Sequence, residues 1–264
     1  MFPNERLQRI CDLVNERGAV RVAELSRLLD VSEVTVRRDL EQLSKERRLQ
    51  RTHGGAISMH PVGAEISAPE LIRSQKNVEE KRLIARFAYE MINDKDTIFM
   101  DGSSTVNELA KIIAREDDKR LYIITPSLTV VSALANCSNV TVIMPGGEVS
   151  YLHGRVEGTL ATEAIHSMRA DRCFIGINGI DQSFGFSLPR LIEIDLKCAM
   201  MKASRQSIVL ADHSKFGKVY MARLRENCDY VVTDTRLKDY DYDWLKEESA
   251  VLFADERLNG LNKE

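Results

Sequence analysis

Two sets of residues in this 264-residue chain can do chemistry by their type and spacing. The first is basic and lies between Ser32 and Ile57, in the run SEVTVRRDLEQLSKERRLQRTHGGAI. Val36, Leu40 and Leu43 recur at i, i+4 and i+7, which predicts one apolar face of a helix, with Ser32 at the N-cap position. The opposite face carries Val34, Thr35, Arg38, Gln42 and Lys45. Arg37 and Arg38 can reach guanine edges or phosphates, Thr35 can donate or accept, and an outward valine suits a thymine methyl. Arg47, Arg48 and Arg51 follow, then Thr52, His53 and the turn-forming Gly54-Gly55. A short helix with a basic outer face and a basic hairpin behind it has the shape of a groove reader with a wing. The candidate DNA contacts are Ser32, Val34, Thr35, Arg37, Arg38, Gln42, Arg51, Thr52, His53 and Gly54. A solvated face on a protein-binding module is the competing reading; a helical charge run alone is weak evidence, and the basic wing decides against it. Asp39 would repel phosphate, so it is expected at the flank of the apolar face, in a local ion pair that orients an arginine.

The second set lies in loops that follow apolar runs. Asp101-Gly102-Ser103-Ser104-Thr105 opens a helix, where backbone N–H groups and hydroxyls form an anion site and Gly102 permits close approach. Thr105 and Glu108 fit a capping box, and a well-capped helix would explain that spacing without any ligand. Thr125-Pro126-Ser127, Pro145-Gly146-Gly147, Asn178-Gly179-Ile180-Asp181 and Ala211–Gly217 occupy equivalent places. Convergence of several such loops argues for one shared pocket. Lys197 and Lys215 supply positive charge, although a lysine taken alone is ordinarily a surface charge. Asp181, Asp212 and the hydroxyls suit sugar hydroxyl groups. An anion site at one end and polyol acceptors at the other point to a phosphorylated sugar. The candidate ligand residues are Asp101, Gly102, Ser103, Ser104, Thr105, Thr125, Ser127, Gly146, Gly147, Asp181, Lys197 and Lys215.

The elements that must hold these residues are readable. Leu7, Ile10, Leu13 and Val14 mark a first helix that ends near Gly18. A short segment, Ala19–Val22, leads to a second helix with Leu25, Leu28 and Leu29 inward, and a turn at Val31 precedes the basic helix. So short a connection is the helix-turn-helix layout, whose second helix enters the major groove. Residues 58–77 contain Pro61, Gly63 and Pro69 without clear period and read as a linker, with Ser58–Pro69 as its hinge. From Val78 helices alternate with buried strands. One helix carries Ile84, Phe87, Ala88 and Met91, and another Val106, Leu109, Ile112 and Ile113. The strands are Thr97–Met100, Leu121–Thr125, Val140–Met144, Arg172–Ile177, Ser207–Leu210, Tyr230–Thr233 and Val251–Phe253. This alternation predicts an α/β domain with a largely parallel sheet and a ligand site at the strands' carboxyl ends. The expected division is 1–57, a linker at 58–77, and 78–264.

Composition narrows the classes. Hydrophobic residues make up 44% and charged residues 29%, ordinary for a soluble globular protein. No apolar run approaches a membrane span and the polar start holds no signal-peptide core, so a cytoplasmic protein without a membrane partner is expected. The five cysteines are scattered with no C-x-x-C pair, which argues against disulfides, a zinc site or any other metal, and no cofactor is expected. Net charge is −3 overall, but residues 1–57 carry +2 and the remainder −5, so nucleic-acid binding would depend on placement rather than bulk charge.

The run VAELSRLLDVSEVTVRRDLEQLSKERRLQRTHGGA resembles the winged helix-turn-helix signature of DeoR-type bacterial transcriptional regulators. The matching pieces are Val31-Ser32, Thr35–Leu40 and Arg51–Ala56; Arg47-Arg48 departs from the family's Gly-containing turn. Residues 78–235 resemble the same family's sensor domain, through the Asp101 loop, Gly146-Gly147-Glu148, Gly176–Asp181 and Asp212–Gly217. Pro126 and Leu188-Pro189 depart from that pattern. The sensor is similar in fold to ribose-5-phosphate isomerase, whose phosphate loop corresponds to Gly102–Thr105, its Asp-rich loop to the region of Asp181, and its Ser-Lys pair to Ser214-Lys215. The isomerase places its catalytic glutamate before a lysine; here the pair is Leu196-Lys197, and a leucine cannot act as general base. Asp195 and Glu193 are expected on other faces of that helix.

The resemblance therefore implies an α/β architecture, with an N-terminal winged helix-turn-helix and a Rossmann-like sensor domain. It implies a repressor of a carbohydrate-utilisation operon that binds double-stranded operator DNA as a homodimer or homotetramer. A phosphorylated sugar effector would control its DNA affinity. The alternative from another class is a sugar-phosphate isomerase with an appended helical domain.

Overall fold

In the first unit, every apolar position predicted to face inward but one does so. The computed structural model describes residues 3–17, 19–46, 48–52, 54–57, 70–151, 153–239 and 242–255, and the chain divides into two units, Met1–Ser67 and Ala68–Glu264. Helices α1 (Pro3–Arg17), α2 (Val22–Leu29) and α3 (Glu33–Lys45) enclose a core in which Ile10, Val14, Leu25, Val36, Leu40 and Leu43 are fully buried. Leu28 is the exception. It is 50% exposed, because Val22, Leu25 and Leu29 already form the inward stripe of α2. The chain leaves α2 through Asp30 in the left-handed conformation and starts α3 at Ser32, whose hydroxyl accepts the Thr35 N–H at 3.2 Å.

Strands β1 (Ala19–Arg21), β2 (Gln50–Arg51) and β3 (Gly55–Ile57) form an antiparallel sheet with β3 in the centre. The segment expected only to connect α1 and α2 is thus the third strand of the wing, pairing Val20 with Ala56. Gly55 is required there, since a Cβ would lie 2.1 Å from the Val20 carbonyl oxygen.

The second unit opens with α4 (Glu70–Gln75) and α5 (Val78–Glu90), so residues 70–77, read from the sequence as linker, hold a helix of this unit. The hinge expected at Ser58–Pro69 lies outside the described residues. Seven strands follow in one parallel sheet: β4 (Thr97–Met100), β5 (Leu121–Ile124), β6 (Val140–Ile143), β9 (Ala170–Gly176), β12 (Ser204–Leu210), β14 (Tyr230–Asp234) and β15 (Ala250–Ala254). These are the seven apolar runs expected from the sequence.

Their alternation is two-sided. Ile98, Met100 and Phe174 pack against α5, α6 (Ser104–Glu116) and α7 (Leu128–Leu134). Phe99, Cys173 and Ile175 pack against α8 (Thr159–His166) and α9 (Leu191–Lys202). Both faces of the sheet are therefore covered, as parallel sheets require.

The strand order is β15-β14-β12-β9-β4-β5-β6. From the β4–β9 boundary, β4, β5 and β6 run outward on one side and β9, β12, β14 and β15 on the other. The order reverses between β4 and β9, and that is where a doubly wound sheet opens a crevice.

A hairpin of β7 (Glu148–Ser150) and β8 (Arg155–Glu157) and a small sheet of β10 (Gly179–Asp181), β11 (Gly185–Leu188) and β13 (Ala222–Arg223) complete the unit. The five cysteines are all free; four are buried and Cys137 is half-buried.

Candidate functional site

The outer face of α3 is assembled as its pattern predicts. Val34 is 77% exposed, and Arg37, Arg38 and Gln42 are exposed beside it. Ser32 and Thr35 share a hydroxyl contact of 2.9 Å at the helix start. Several of the basic groups are already matched by carboxylates, among them Arg37 by Glu33 at 3.1 Å and Arg51 by Glu41 at 4.0 Å. Lys45 also reaches Glu41, at 3.4 Å. Arg38 has no such ion pair among the described residues. In the wing, the Thr52 N–H donates to the Gly55 carbonyl at 3.0 Å, and Gly54 is exposed. His53 and Arg47 lie outside the described residues.

Asp39 is buried in an ion pair, but not a local one. Arg6 of α1 grips its carboxylate with Nε at 2.6 Å and Nη2 at 3.2 Å. The pair spans 33 positions, so it fixes α1 against α3 rather than orienting a groove arginine.

At the reversal of strand order in the second unit lies a small, partly open cleft. Its floor is the loop after β4 and its wall the start of α6, where the Ser103 hydroxyl accepts the Val106 N–H. Ser103, not Thr105, is therefore the N-cap of α6, and the expected Thr105–Glu108 capping box does not form. Glu108 pairs with Lys111 at 2.6 Å instead. Gly176 ends β9 against this wall; a Cβ there would sit 2.3 Å from the Ser103 Cβ, so only glycine fits.

Asp101 is the bolt of the arrangement. Its Oδ1 accepts the Ser103 N–H at 2.9 Å, and its Oδ2 accepts the Gly176 N–H at 2.9 Å together with the Lys197 ammonium. Lys197 also donates to the Gly176 carbonyl at 2.8 Å. Burial pushes the Asp101 carboxyl up, but the Lys197 charge and these amide bonds outweigh it and leave it below the ordinary carboxylate range.

A second ion network borders the cleft. Arg155 pairs with Glu193 at 2.6 Å, and Arg190 grips both oxygens of Glu157 at 2.9 and 3.1 Å. Burial raises the Glu193 carboxyl, and Arg155, Lys197 and Arg73 overcome this and hold it low. Glu193 lines the cleft with Lys197, contrary to the expectation of different faces, because four residues are about one turn of α9. Asp195 is exposed and pairs with Arg225.

Of the residues expected to bind ligand, Gly102, Ser103, Ser104, Thr105, Lys197 and Lys215 line the cleft, and Asp101 lines an adjoining hollow with Pro126 and Glu157. Thr125, Ser127, Gly146, Gly147 and Asp181 line neither. Ser127 is fully buried and caps α7 through the Val130 N–H at 3.3 Å, and Thr125 accepts the Ser127 N–H at 3.1 Å. Gly147 turns the chain into β7 at φ +147°. The Asp181 carboxylate is taken up in its own hairpin by the N–H groups of Ser183 and Phe184 at 2.9 and 3.1 Å. Asn178, from one of the strand-end loops expected to converge, lines the cleft in place of Asp181, and Arg73, Arg155 and Glu193 line it without having been anticipated. Only Glu193 had a usable signal, its i, i+4 spacing to Lys197. Among the described residues no group of three or more His, Cys, Asp or Glu could hold a metal ion.

A winged helix-turn-helix unit joined to a doubly wound α/β unit defines a two-unit DNA-binding regulator. Residues 6–62 match the DeoR-like helix-turn-helix domain and residues 76–235 the DeoR C terminal sensor domain. The chain belongs to the DeoR family of transcriptional regulators. It is 35% identical to the uncharacterized HTH-type transcriptional regulator YulB of Bacillus subtilis (strain 168), over 96% of this chain and 97% of that one. It is 31% identical to the glycerol-3-phosphate regulon repressor of Escherichia coli (strain K12), over 85% and 87%. A more distant likeness, 16% identical with a TM-score of 0.39, links 53% of the chain to 55% of a ribose 5-phosphate isomerase A from Methanocaldococcus jannaschii. The curated relatives are named transcriptional regulators and repressors, and the protein is a transcriptional regulator. No described helix is long and apolar enough to cross a membrane.

Proposed function

We propose that the protein is a cytoplasmic repressor of a carbohydrate-utilisation operon, and that a phosphorylated sugar bound in the cleft at the β4–β9 reversal lowers its affinity for operator DNA. The observation that carries this reading is the cleft itself. The N-terminus of α6 opens into it with Ser103 and Ser104, and Arg73, Arg155 and Lys215 approach from three other segments. Helix N-terminal amides and converging cations are the chemistry of a phosphate site. That one curated relative is named a repressor of the glycerol-3-phosphate regulon supports an effector of this class.

On DNA, Val34, Arg37, Arg38 and Gln42 read the major groove and Arg51–Gly54 follow the backbone or the minor groove. Because residues 1–57 carry only +2, affinity rests on two or more copies acting together, as a homodimer or homotetramer. The ligand acts by preferring one arrangement of the assembly, since only differential affinity shifts such an equilibrium.

The test is direct. Duplexes selected by the full-length protein from genomic fragments are titrated with it in the presence of glucose 6-phosphate, fructose 1-phosphate or glycerol 3-phosphate. One of them should weaken DNA binding at least about tenfold, the usual scale of allosteric coupling. If none binds the protein, the cleft is not a sugar-phosphate site.

A further inference from the structure

The cations around the cleft are not equivalent. Lys197 is neutralised by Asp101 and Arg155 by Glu193. Arg73 is different: its Nε is buried and has no hydrogen-bond acceptor. A buried donor without a partner is costly and calls for an explanation, and the side chain lines the cleft. The remaining donor therefore points to an anionic acceptor that belongs there.

The place of Arg73 in the chain matters as much as its charge. It lies on α4, the first described element after residues 58–69 and so the part of the second unit nearest in sequence to the DNA-binding unit. A six-residue helix does not hold its place alone. It is held by tethers. The Lys81 ammonium, 2% exposed, donates to the carbonyls of Arg73 and Lys76, closing the carboxyl end of α4 as a cation should. One residue on, Asn77 turns the chain into α5 at φ +50° and donates from Nδ2 to Asp212 Oδ1 at 2.8 Å. Asp212 also takes the Ser214 N–H at 3.0 Å, fixing the loop that brings Lys215 to the cleft. The α4–α5 turn and the Lys215 loop are thus bolted together beside the cleft.

Resting on the reading of the cleft as a sugar-phosphate site, we infer that Arg73 is a ligand-contacting residue of that site, and that α4 with its Asn77–Asp212 tether carries ligand occupancy into the chain leading to the DNA-binding unit. An anion drawn to the spare Nε–H of Arg73 acts on α4 directly, whereas the same anion on Lys197 or Arg155 acts on groups already neutralised within the unit.

The experiment uses the full-length protein, its selected duplex, and glucose 6-phosphate, fructose 1-phosphate and glycerol 3-phosphate as probes, with probe affinity from calorimetry and DNA affinity from anisotropy. Arg73→Gln should bind the active probe about ten- to a hundredfold more weakly, the range for one charge-assisted bond, with each protein's DNA release read against its own unliganded DNA affinity. Arg73→Lys should fall between it and the wild type. At probe concentrations that fill the Arg73→Gln cleft, DNA release should stay well short of the wild-type response. Asn77→Gly, which keeps the backbone conformation and cuts the tether, should bind the probe nearly as wild type and release DNA less.

If no probe binds the wild type, the sugar-phosphate reading falls and this inference with it. If the wild type binds and Arg73→Gln binds equally well, Arg73 is not a contact, while the reading of the cleft stands. If filled Arg73→Gln or Asn77→Gly releases DNA as fully as the wild type, the route through α4 is overturned.

Discussion

Lys197→Met tests whether the Asp101–Lys197 pair holds the cleft together. The substitution removes the ammonium and leaves a carboxylate that is 4% exposed. Removing one partner of a buried ion pair costs about 3–5 kcal/mol. Two features of this site pull the value down. Asp101 keeps the N–H groups of Ser103 and Gly176, each at 2.9 Å, and it can neutralise itself by taking a proton. The expectation is therefore the lower end, about 3 kcal/mol near neutral pH. Asp101→Asn combined with Lys197→Met removes both charges and should recover a large part of that loss.

Urea unfolding followed by Trp244 fluorescence is the assay, because the chain's one tryptophan packs against the core of the second unit and reports on that unit. The pH dependence adds a signature. In the wild type Asp101 lies below its ordinary range, so its stabilisation is present above the unfolded-state pKa and disappears as pH falls through the folded value. In Lys197→Met only the two amide bonds still oppose burial, and with the ammonium gone burial raises the folded-state pKa above the unfolded one. The resulting penalty applies at high pH and shrinks as the carboxyl protonates. The stability gap between the two proteins should therefore narrow from about pH 8 to about pH 5. A loss no larger than an ordinary substitution, about 1 kcal/mol, a gap that ignores pH, or a double variant weaker than the single one would refute the reasoning.

Four further outcomes are expected. Arg38→Ala should weaken binding to the selected duplex by about 1–3 kcal/mol in an anisotropy titration and leave probe binding unchanged. Glu41→Gln should tighten DNA binding, because Glu41 faces both Lys45 at 3.4 Å and Arg51 at 4.0 Å, and the gain should fade as salt rises. Gly55→Ala puts a methyl 2.1 Å from the Val20 carbonyl and 2.9 Å from the Arg21 Cα, backbone atoms that cannot swing aside; DNA binding should be lost while calorimetry still shows probe binding. Glu193→Gln should tighten the active probe severalfold, because it releases Arg155 from its 2.6 Å partner.

What could be read from the residues depended on the length of the signal. The seven sheet strands are apolar runs of four to seven residues, and each was visible. Strands β7, β8, β10, β11 and β13 span two to four residues, too short to show a period. The wing strand β1 was hidden for the same reason, since three residues before a helix read as a connection. At the cleft, Gly102–Thr105 were legible because strand, polar loop and helix follow one another in the chain. Arg73 and Arg155 were not, because α4 is too short to show a stripe and the β8 hairpin reaches the cleft only through tertiary folding. Asp181 misled because polar residues after a strand satisfy their own turns as readily as they meet a ligand. Asp39 showed the reverse: its odd place on a basic face signalled an ion pair, but nothing local named Arg6, 33 residues away.

The leucine at position 196 explains less about the missing chemistry than the sequence suggested, because a carboxylate does line the cleft, one turn earlier at Glu193. What disqualifies Glu193 as a base is its environment. A general base works best with a pKa near the operating pH, and Arg155, Lys197 and Arg73 hold Glu193 low against the pull of burial. Asp101 is held low as well, and the Lys197 ammonium and two amides occupy its oxygens. Both carboxylates are thus committed to neutralising cations. That commitment is consistent with a site that binds: Lys197 and Arg155 order the walls without adding net charge, and the Arg73 Nε–H is left without an acceptor. If the cleft takes a sugar phosphate as proposed, the arrangement that weakens both carboxylates as bases leaves part of its anion affinity to a residue outside the strand-end loops, on the short helix at Glu70–Gln75.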